Sequence, residues 1–303
     1  MWWAGSTRTE RNGGSGEHFD GFVSGRSRRE CDNGPFRLMI EILHPGANAP
    51  DARIALFDFD GTISTIRSGW VDIMVPMMVE ILLDLKTGET EAELREIVLE
   101  FVSRTTGKET IYQMMEFAEN IEKRGGKPLA PLEYKAEYLR RLNIHIAGRI
   151  ADLEAGCPKE KYIVPGAVAF LETLAARGLK MYLASGTDDA YVKRESSLLD
   201  VAKYFNGGVF GAQDDLKSFS KGMLVAKIIS SAEAEPSQIV GFGDGFVEID
   251  EVKKVGGLGV GLATDEPECL TVDPWKRERL VRVGADYILP NFLEMEGLLA
   301  KIF

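Results

Sequence analysis

The apolar positions of this chain change period twice. Residues 53–57 (Arg-Ile-Ala-Leu-Phe) make a short, nearly unbroken apolar run, closed at once by Asp58-Phe59-Asp60-Gly61-Thr62. A run of that length ending in a glycine turn predicts a buried parallel strand. From Ser64 to about Glu160 the spacing becomes helical. Residues 70–85 predict one helix, and Leu94, Ile97, Val98, Phe101 and Val102 a second. Ile111, Met114, Met115, Ala118 and Ile121 mark a third, and Leu139, Leu142, Ile146, Ile150 and Leu153 a fourth. Gly125-Gly126-Lys127-Pro128 breaks the last two apart. Four amphipathic helices with short breaks can bury their stripes against one another.

Past Val164-Pro165-Gly166 helix and strand alternate. Strands are expected at 179–184, 208–211, 238–243, 258–263 and 287–289, with helices at 168–177, 188–199, 221–230, 274–283 and at the C-terminus. A further helix runs from the Asp244-Gly245 turn through Val255. Such alternation defines an α/β fold with a doubly wound parallel sheet. The helical block at 67–160 is then an α-helical cap inserted into a core made of 35–66 and 161–303. Residues 36–43 could add a short strand. Residues 1–34, rich in Gly, Ser and Arg without apolar periodicity, read as a disordered segment.

Composition narrows the function classes. Apolar content of 45% and charged content of 27% are those of a soluble globular protein. A formal charge of −11 argues against a nucleic-acid partner, which would call for a basic face. Cys31, Cys157 and Cys269 are odd in number and far apart, and His18, His44 and His145 show no metal-ligand spacing, so neither a disulfide framework nor structural zinc is expected. The most apolar window, 70–85, is interrupted by Asp72, Glu80 and Asp84, so no membrane span is expected. No apolar stretch follows the first charges, and a cytoplasmic location is the expectation.

Three strand ends run into polar loops: Asp58/Asp60, Ser185-Gly186-Thr187 and Asp244-Gly245. A parallel sheet brings all three to one edge, where open α/β sheets bind their ligands. Together they offer carboxylates for a hard cation, and a hydroxyl with backbone amides for an anion. Asp58 and Asp244 suit Mg²⁺, which takes one or two carboxylates plus waters and phosphate oxygens. Glu248, one helical turn on, could bind the ion or orient a water on it. Taken singly, Ser185 could merely cap the next helix and Lys221 could be a surface charge.

These stretches, in this order, resemble the haloacid dehalogenase superfamily of hydrolases, from about Arg53 to the end of the chain. Asp58-Phe59-Asp60-Gly61-Thr62 stands where that family has DxDGT. Leu183-Ala184-Ser185 stands for its apolar strand ending in a hydroxyl, Lys221 for its lone lysine (with Lys217 the competitor), and Gly243-Asp244-Gly245-Phe246-Val247-Glu248 for GDxxxD with a final Glu. The resemblance implies that Asp58 is a nucleophile forming an aspartyl-phosphate and that Asp60 is the general acid and base. It implies that Ser185, Gly186 and Lys221 hold the phosphoryl group, with Mg²⁺ among Asp58, Asp60, Asp244 and Glu248. Asp60 disfavours the dehalogenases, transport ATPases and phosphonate-cleaving enzymes of the family. The expected activity is hydrolysis of a small phosphomonoester, such as a sugar phosphate or a phosphoglycolate-like compound. The alternatives are a phosphomutase of the same fold and a binding module that has kept the fold without the activity. Arg67, Trp70 and Lys108 are candidate substrate contacts. Asp188, Asp189, Asp214 and Asp215 are expected to be surface or capping residues.

Overall fold

The computed structural model describes residues 40–213, 220–231 and 234–303. The segment 1–34, Lys217, Asp214, Asp215 and the first part of the strand expected at 36–43 lie outside the described residues. Seven strands form one sheet: β1 (Glu41–Ile42), β2 (Ile54–Phe57), β3 (Lys180–Asp188), β4 (Gly208–Ala212), β5 (Ile239–Gly243), β6 (Leu258–Leu262) and β7 (Tyr287–Leu289). Their spatial order is β1-β7-β6-β5-β2-β3-β4. The chain winds from β2 through β3 to β4 on one side and from β5 through β6 to β7 on the other, so the strand order reverses between β2 and β5. A crevice opens at such a reversal, above the carboxyl ends of the strands.

The sheet is parallel except at one edge, where β1 pairs antiparallel with β7 through Glu41 opposite Ile288. The sequence reading gave an extra strand there without its direction. An antiparallel edge pair needs no crossover connection, which suits a two-residue strand at the start of the core. Strand β2 is central and wholly buried, as its unbroken apolar run requires. Its alternate side chains serve two layers. Phe57 stacks on Phe242 at 4.6 Å and meets Phe170 and Phe205 edge-on. Ile54 and Leu56 pack on the opposite face with Val225, Ile228 and Val252.

Five α-helices lie between β2 and β3, and the first four follow β2 in succession: α1 (Val71–Leu83), α2 (Glu91–Thr105), α3 (Thr110–Lys123) and α4 (Pro131–Glu154). Thr90 and Glu93 cap the start of α2 reciprocally, and Pro131 occupies the first turn of α4, where its missing N–H is not needed. Met74, Met77, Met78, Met114, Phe117 and Leu142 bury their stripes in one core. The remaining helices flank the sheet: α5 (Ala167–Ala176), α6 (Asp189–Leu198), α7 (Lys221–Ser231), α8 (Val247–Lys254), α9 (Pro274–Arg282) and α10 (Met295–Ile302). Among the described residues no helix is long and apolar enough to cross a membrane.

Candidate active site

The end of β2 sets the geometry. Asp58 N donates to Phe242 O at 2.9 Å, so the ladder to β5 persists one residue past the strand. The chain then turns at Gly61, whose φ of +73° is a conformation side chains rarely tolerate. A Cβ there would stand 2.3 Å from Asp244 Oδ2 and 2.9 Å from Glu266 Oε1. Glycine thus lets both carboxylates close onto the turn. Thr62 fixes the second strand end by accepting a hydrogen bond on Oγ1 from Asp244 N at 2.9 Å.

Asp58 and Asp60 leave this turn in different directions. Asp58 Oδ1 accepts from Lys221 Nζ at 2.7 Å, and the Asp244 carboxyl lies beside Asp58. Asp60 Oδ2 instead accepts from Thr187 Oγ1 at 2.8 Å and, more weakly, from Ser185 Oγ at 3.4 Å. A bulge makes this possible. Between Ala184 opposite Phe210 and Asp188 opposite Ala212, β3 carries more residues than β4. The surplus turns both hydroxyls of Ser185-Gly186-Thr187 toward Asp60.

Lys221, at the first turn of α7, is 1% exposed and also lies 2.7 Å from Glu248 Oε2. That second contact is off the hydrogen-bonding direction, and both Glu248 oxygens lack a directed partner. Burial opposes the ammonium charge, but Asp58 and Glu248 outweigh it and hold the Lys221 pKa above the ordinary lysine value. Asp58 is pushed well up, chiefly by burial; Lys221 pulls it back, while Glu248 and Asp244 push it further. For Asp244, burial is again the largest influence, yet Lys276 at 2.9 Å wins and keeps its carboxyl below the usual range. Lys276 also holds Glu266 at 2.6 Å. It reaches both because Asp273 caps α9, accepting from Lys276 N at 2.7 Å, with Pro274 opening the first turn.

Burial raises Asp60 from 3.8 to about 6, with Arg67 pulling it down, Glu195 pushing it up and the Thr187 hydroxyl pulling it down. The folded value exceeds the unfolded one, so a protonated Asp60 favours the fold. That benefit is complete below about pH 4 and lost as pH rises through about 6. Asp60→Asn fixes the neutral form. It is expected to stabilise the metal-free protein at pH 8 by at most about 3 kcal/mol, and by about a third of that at pH 4.5. Thermal unfolding in EDTA at the two pH values checks this; equal shifts would show that Asp60 is not titrating between them.

Apart from Lys217, the site residues expected from the sequence are all described, and all of them but Glu248 line one cavity: Asp58, Asp60, Arg67, Lys108, Ser185, Gly186, Lys221 and Asp244. Trp70 lines it too. Glu248 sits behind Lys221. Among the described residues no three His, Cys, Asp or Glu side chains are arranged to hold a metal ion, so the four acids expected around Mg²⁺ do not form one cluster. The reason is local: Asp60 is turned to the β3 hydroxyls and Glu248 to Lys221, leaving Asp58 beside Asp244. Arg67 is not free to meet a ligand with its whole fork. It is 5% exposed and donates through Nε and Nη2 to Glu195 at 3.0 and 2.6 Å. Asp188, expected as a surface or capping residue, stands at the N-cap of α6, but its side chain caps no amide; it lines the cavity and pairs with the buried Lys135 at 2.6 Å.

Thr187, Glu195, Glu266, Lys276 and Glu109 went unread as site residues. Thr187 carried a usable signal, a second hydroxyl two positions beyond Ser185. Lys276 carried another, a helix start whose first turn is Pro-Trp-Lys.

A doubly wound sheet with paired acids at its switch point and a buried lysine beside them is a hydrolase-type α/β architecture. The model of the haloacid dehalogenase-like hydrolases matches residues 52–256, more than half of the chain, and the chain belongs to that family. No curated protein matches it. Among solved structures it is similar to a predicted phosphatase from Clostridium acetobutylicum, with 17% identity over 83% of this chain and 99% of that one, at a TM-score of 0.53. A predicted phosphoglycolate phosphatase from Haemophilus somnus matches at 16% identity over 82% and 98%, with a TM-score of 0.51. A Bacteroides vulgatus protein provisionally named a β-phosphoglucomutase matches at 15% identity over 83% and 90%, with a TM-score of 0.52. At these identities the likeness is one of fold.

Proposed function

We propose that this chain is a Mg²⁺-dependent phosphatase that releases phosphate from a small phosphorylated sugar through an aspartyl-phosphate on Asp58. The observation that carries the reading is the divergence of the two acids. Asp58 faces Lys221 and Asp244, while Asp60, two residues on, faces the Ser185 and Thr187 hydroxyls from the same cavity wall. Two carboxyls in separate surroundings can divide nucleophilic from acid–base work. A pKa near 6 suits Asp60 to give a proton to the leaving oxygen and later to take one from water. Lys221, Ser185 Oγ and the Gly186 amide would hold phosphoryl oxygens as charge moves onto them. The helical block at 67–160 acts as the cap that excludes bulk water from the acyl phosphate.

Magnesium fits as a sparsely held ion. Asp58 and Asp244 already meet, and one or two carboxylates suffice when phosphate and water complete the octahedron. Asp60 holds Thr187 through Oδ2 and keeps Oδ1 without a hydrogen-bond partner, and Glu248 steadies Lys221. When bound, Mg²⁺ would draw negative charge from the phosphoryl oxygens and relieve their repulsion with Asp58.

The leaving-group end of the cavity supports a hydroxyl-rich substrate. Ser68, Thr110, Gln113 and Tyr138 line it beside Trp70 and Leu142. Burial pushes the Tyr138 phenol up, so it stays a neutral donor. Arg67 is already claimed by Glu195, which leaves Lys108 as the lining cation without a carboxylate partner among the described residues. A panel of phosphorylated metabolites with free-phosphate readout tests the proposal. Sugar monophosphates should release phosphate without added bisphosphate, in a Mg²⁺-dependent way and faster than phosphoglycolate. Turnover only with a bisphosphate activator would point to a phosphomutase, and no turnover of any ester to a binding module.

A further inference from the structure

We infer that Glu109, on the helical cap, is a positioning residue for Lys221, so that the lysine is seated only when the cap loop is docked. The inference rests on the phosphatase reading of the site, but its geometry is independent of any substrate.

Residues 106–109 join α2 to α3, and Thr106, Gly107 and Lys108 line the cavity. The turn is tight: Lys108 N donates to Thr105 O at 3.1 Å, and Gly107 has a φ of +96°. Its backbone lies on two of the core loops that carry the site. A Cβ on Gly186 would stand 2.8 Å from Lys108 O, and one on Gly107 would stand 3.1 Å from Phe246 N. At those separations the loop rests on the core with no room for water between.

Glu109 then begins α3. Its main chain does what a helix-opening residue does, since Tyr112 N donates to Glu109 O at 3.0 Å. Its side chain does not cap its own helix. Instead Glu109 Oε1 accepts a hydrogen bond from Lys221 N, the first amide of α7. Ser220 Oγ serves the amide of Met223 at 3.1 Å, so one cap residue and one core residue divide the open amides of that helix end. A carboxylate is favoured at a helix N-terminus, where the amide dipoles converge.

Glu109 is 3% exposed and Lys221 1%. With the cap lifted, Glu109 would be hydrated at no cost, and Lys221 N would lose its acceptor. With the cap down, the carboxylate is desolvated and the Lys221 amide is its compensation. The side chain of the same lysine reaches Asp58 and Glu248. Closure and the seating of Lys221 against the nucleophile are therefore joined through one residue. A second hydrogen bond between the helical block and the core, Trp275 Nε1 to Ser103 Oγ at 3.0 Å, is exposed and involves no site residue.

The test compares Glu109→Ala, Glu109→Gln and Ser103→Ala in the full chain. Hydrogen exchange of the Lys221 amide, followed by NMR without substrate, should be at least about tenfold faster in Glu109→Ala than in wild type. Its kcat should fall about 10- to 100-fold with KM changed less than threefold. Glu109→Gln keeps an acceptor oxygen and should recover at least a third of the wild-type kcat. Ser103→Ala should stay within twofold. The inference is overturned if Glu109→Ala leaves kcat within threefold or the Lys221 amide equally protected. It is overturned as well if glutamine rescues nothing, or if Ser103→Ala does as much harm, since docking in general would then be the cause. Faster exchange in Glu109→Ala alongside a wild type inactive on every phosphate ester would uphold the latch while sinking the phosphatase reading.

Discussion

Asp58→Asn is expected to lose at least about 10³-fold in phosphate release while folding as well as the wild type. A carboxylate oxygen can attack phosphorus and leave again as part of an acyl phosphate, and a carboxamide at the same place cannot. The fold should survive because the amide oxygen can still accept from Lys221 Nζ, now 2.7 Å from Asp58 Oδ1. Burial raises the Asp58 pKa, so its ionised form opposes folding; that opposition grows as pH rises above the ordinary carboxylate value and is complete once pH exceeds the folded value. The amide carries no such charge. Melting temperature near neutral pH should therefore hold or rise, the usual sign of a group kept for function rather than stability. Free-phosphate assays and thermal unfolding on one preparation check both halves. Activity above a tenth of wild type would remove Asp58 from the nucleophile's role, and a collapse in melting temperature would make it a structural acid.

Much of this arrangement was legible because it is written in neighbouring residues. The strand before Asp58 is a compact apolar run, and the glycine turn follows it immediately. The helix–strand alternation after Gly166 defined a parallel sheet, and a parallel sheet commits Asp58, Ser185 and Asp244 to one edge. What escaped depends on distances the chain sets only after folding. Lys276 meets Asp244 because β6 lies beside β5 and Asp273 fixes the start of α9. Glu195 claims Arg67 across 128 positions, which turned a supposed substrate contact into half of a buried ion pair. The β3 bulge that aims Thr187 at Asp60 leaves no mark in apolar periodicity, since its residues are polar whether or not the ladder continues. The direction of β1 was equally silent, because an edge strand of two residues has too few side chains to favour either orientation.

Lys221→Met should damage stability and activity together, and the two losses should be separable. The side chain of Lys221 is 1% exposed between Asp58 and Glu248, so methionine of similar length fills its volume but leaves two buried carboxylates without a counter-ion. Breaking a buried pair by removing one partner typically lowers stability by about 3–5 kcal/mol. The loss should be largest at pH 8 and smaller near pH 5, because Asp58, whose pKa is already raised, can take up a proton there once the lysine is gone. Adding Glu248→Gln removes one of the stranded charges, and the double variant should regain a substantial part of the lost stability. It should regain no activity, since the positive charge that holds the phosphoryl oxygens beside Asp58 would still be missing. Denaturant unfolding of the two single variants and the double one, with phosphate release measured on each, gives the full cycle. If Lys221→Met unfolds at the wild-type denaturant concentration, the lysine is not the counter-ion of this acid cluster. If the double variant recovers turnover along with stability, the lysine serves the fold alone, and the oxygens of the transferred group must be held by Ser185, Gly186 and Lys108.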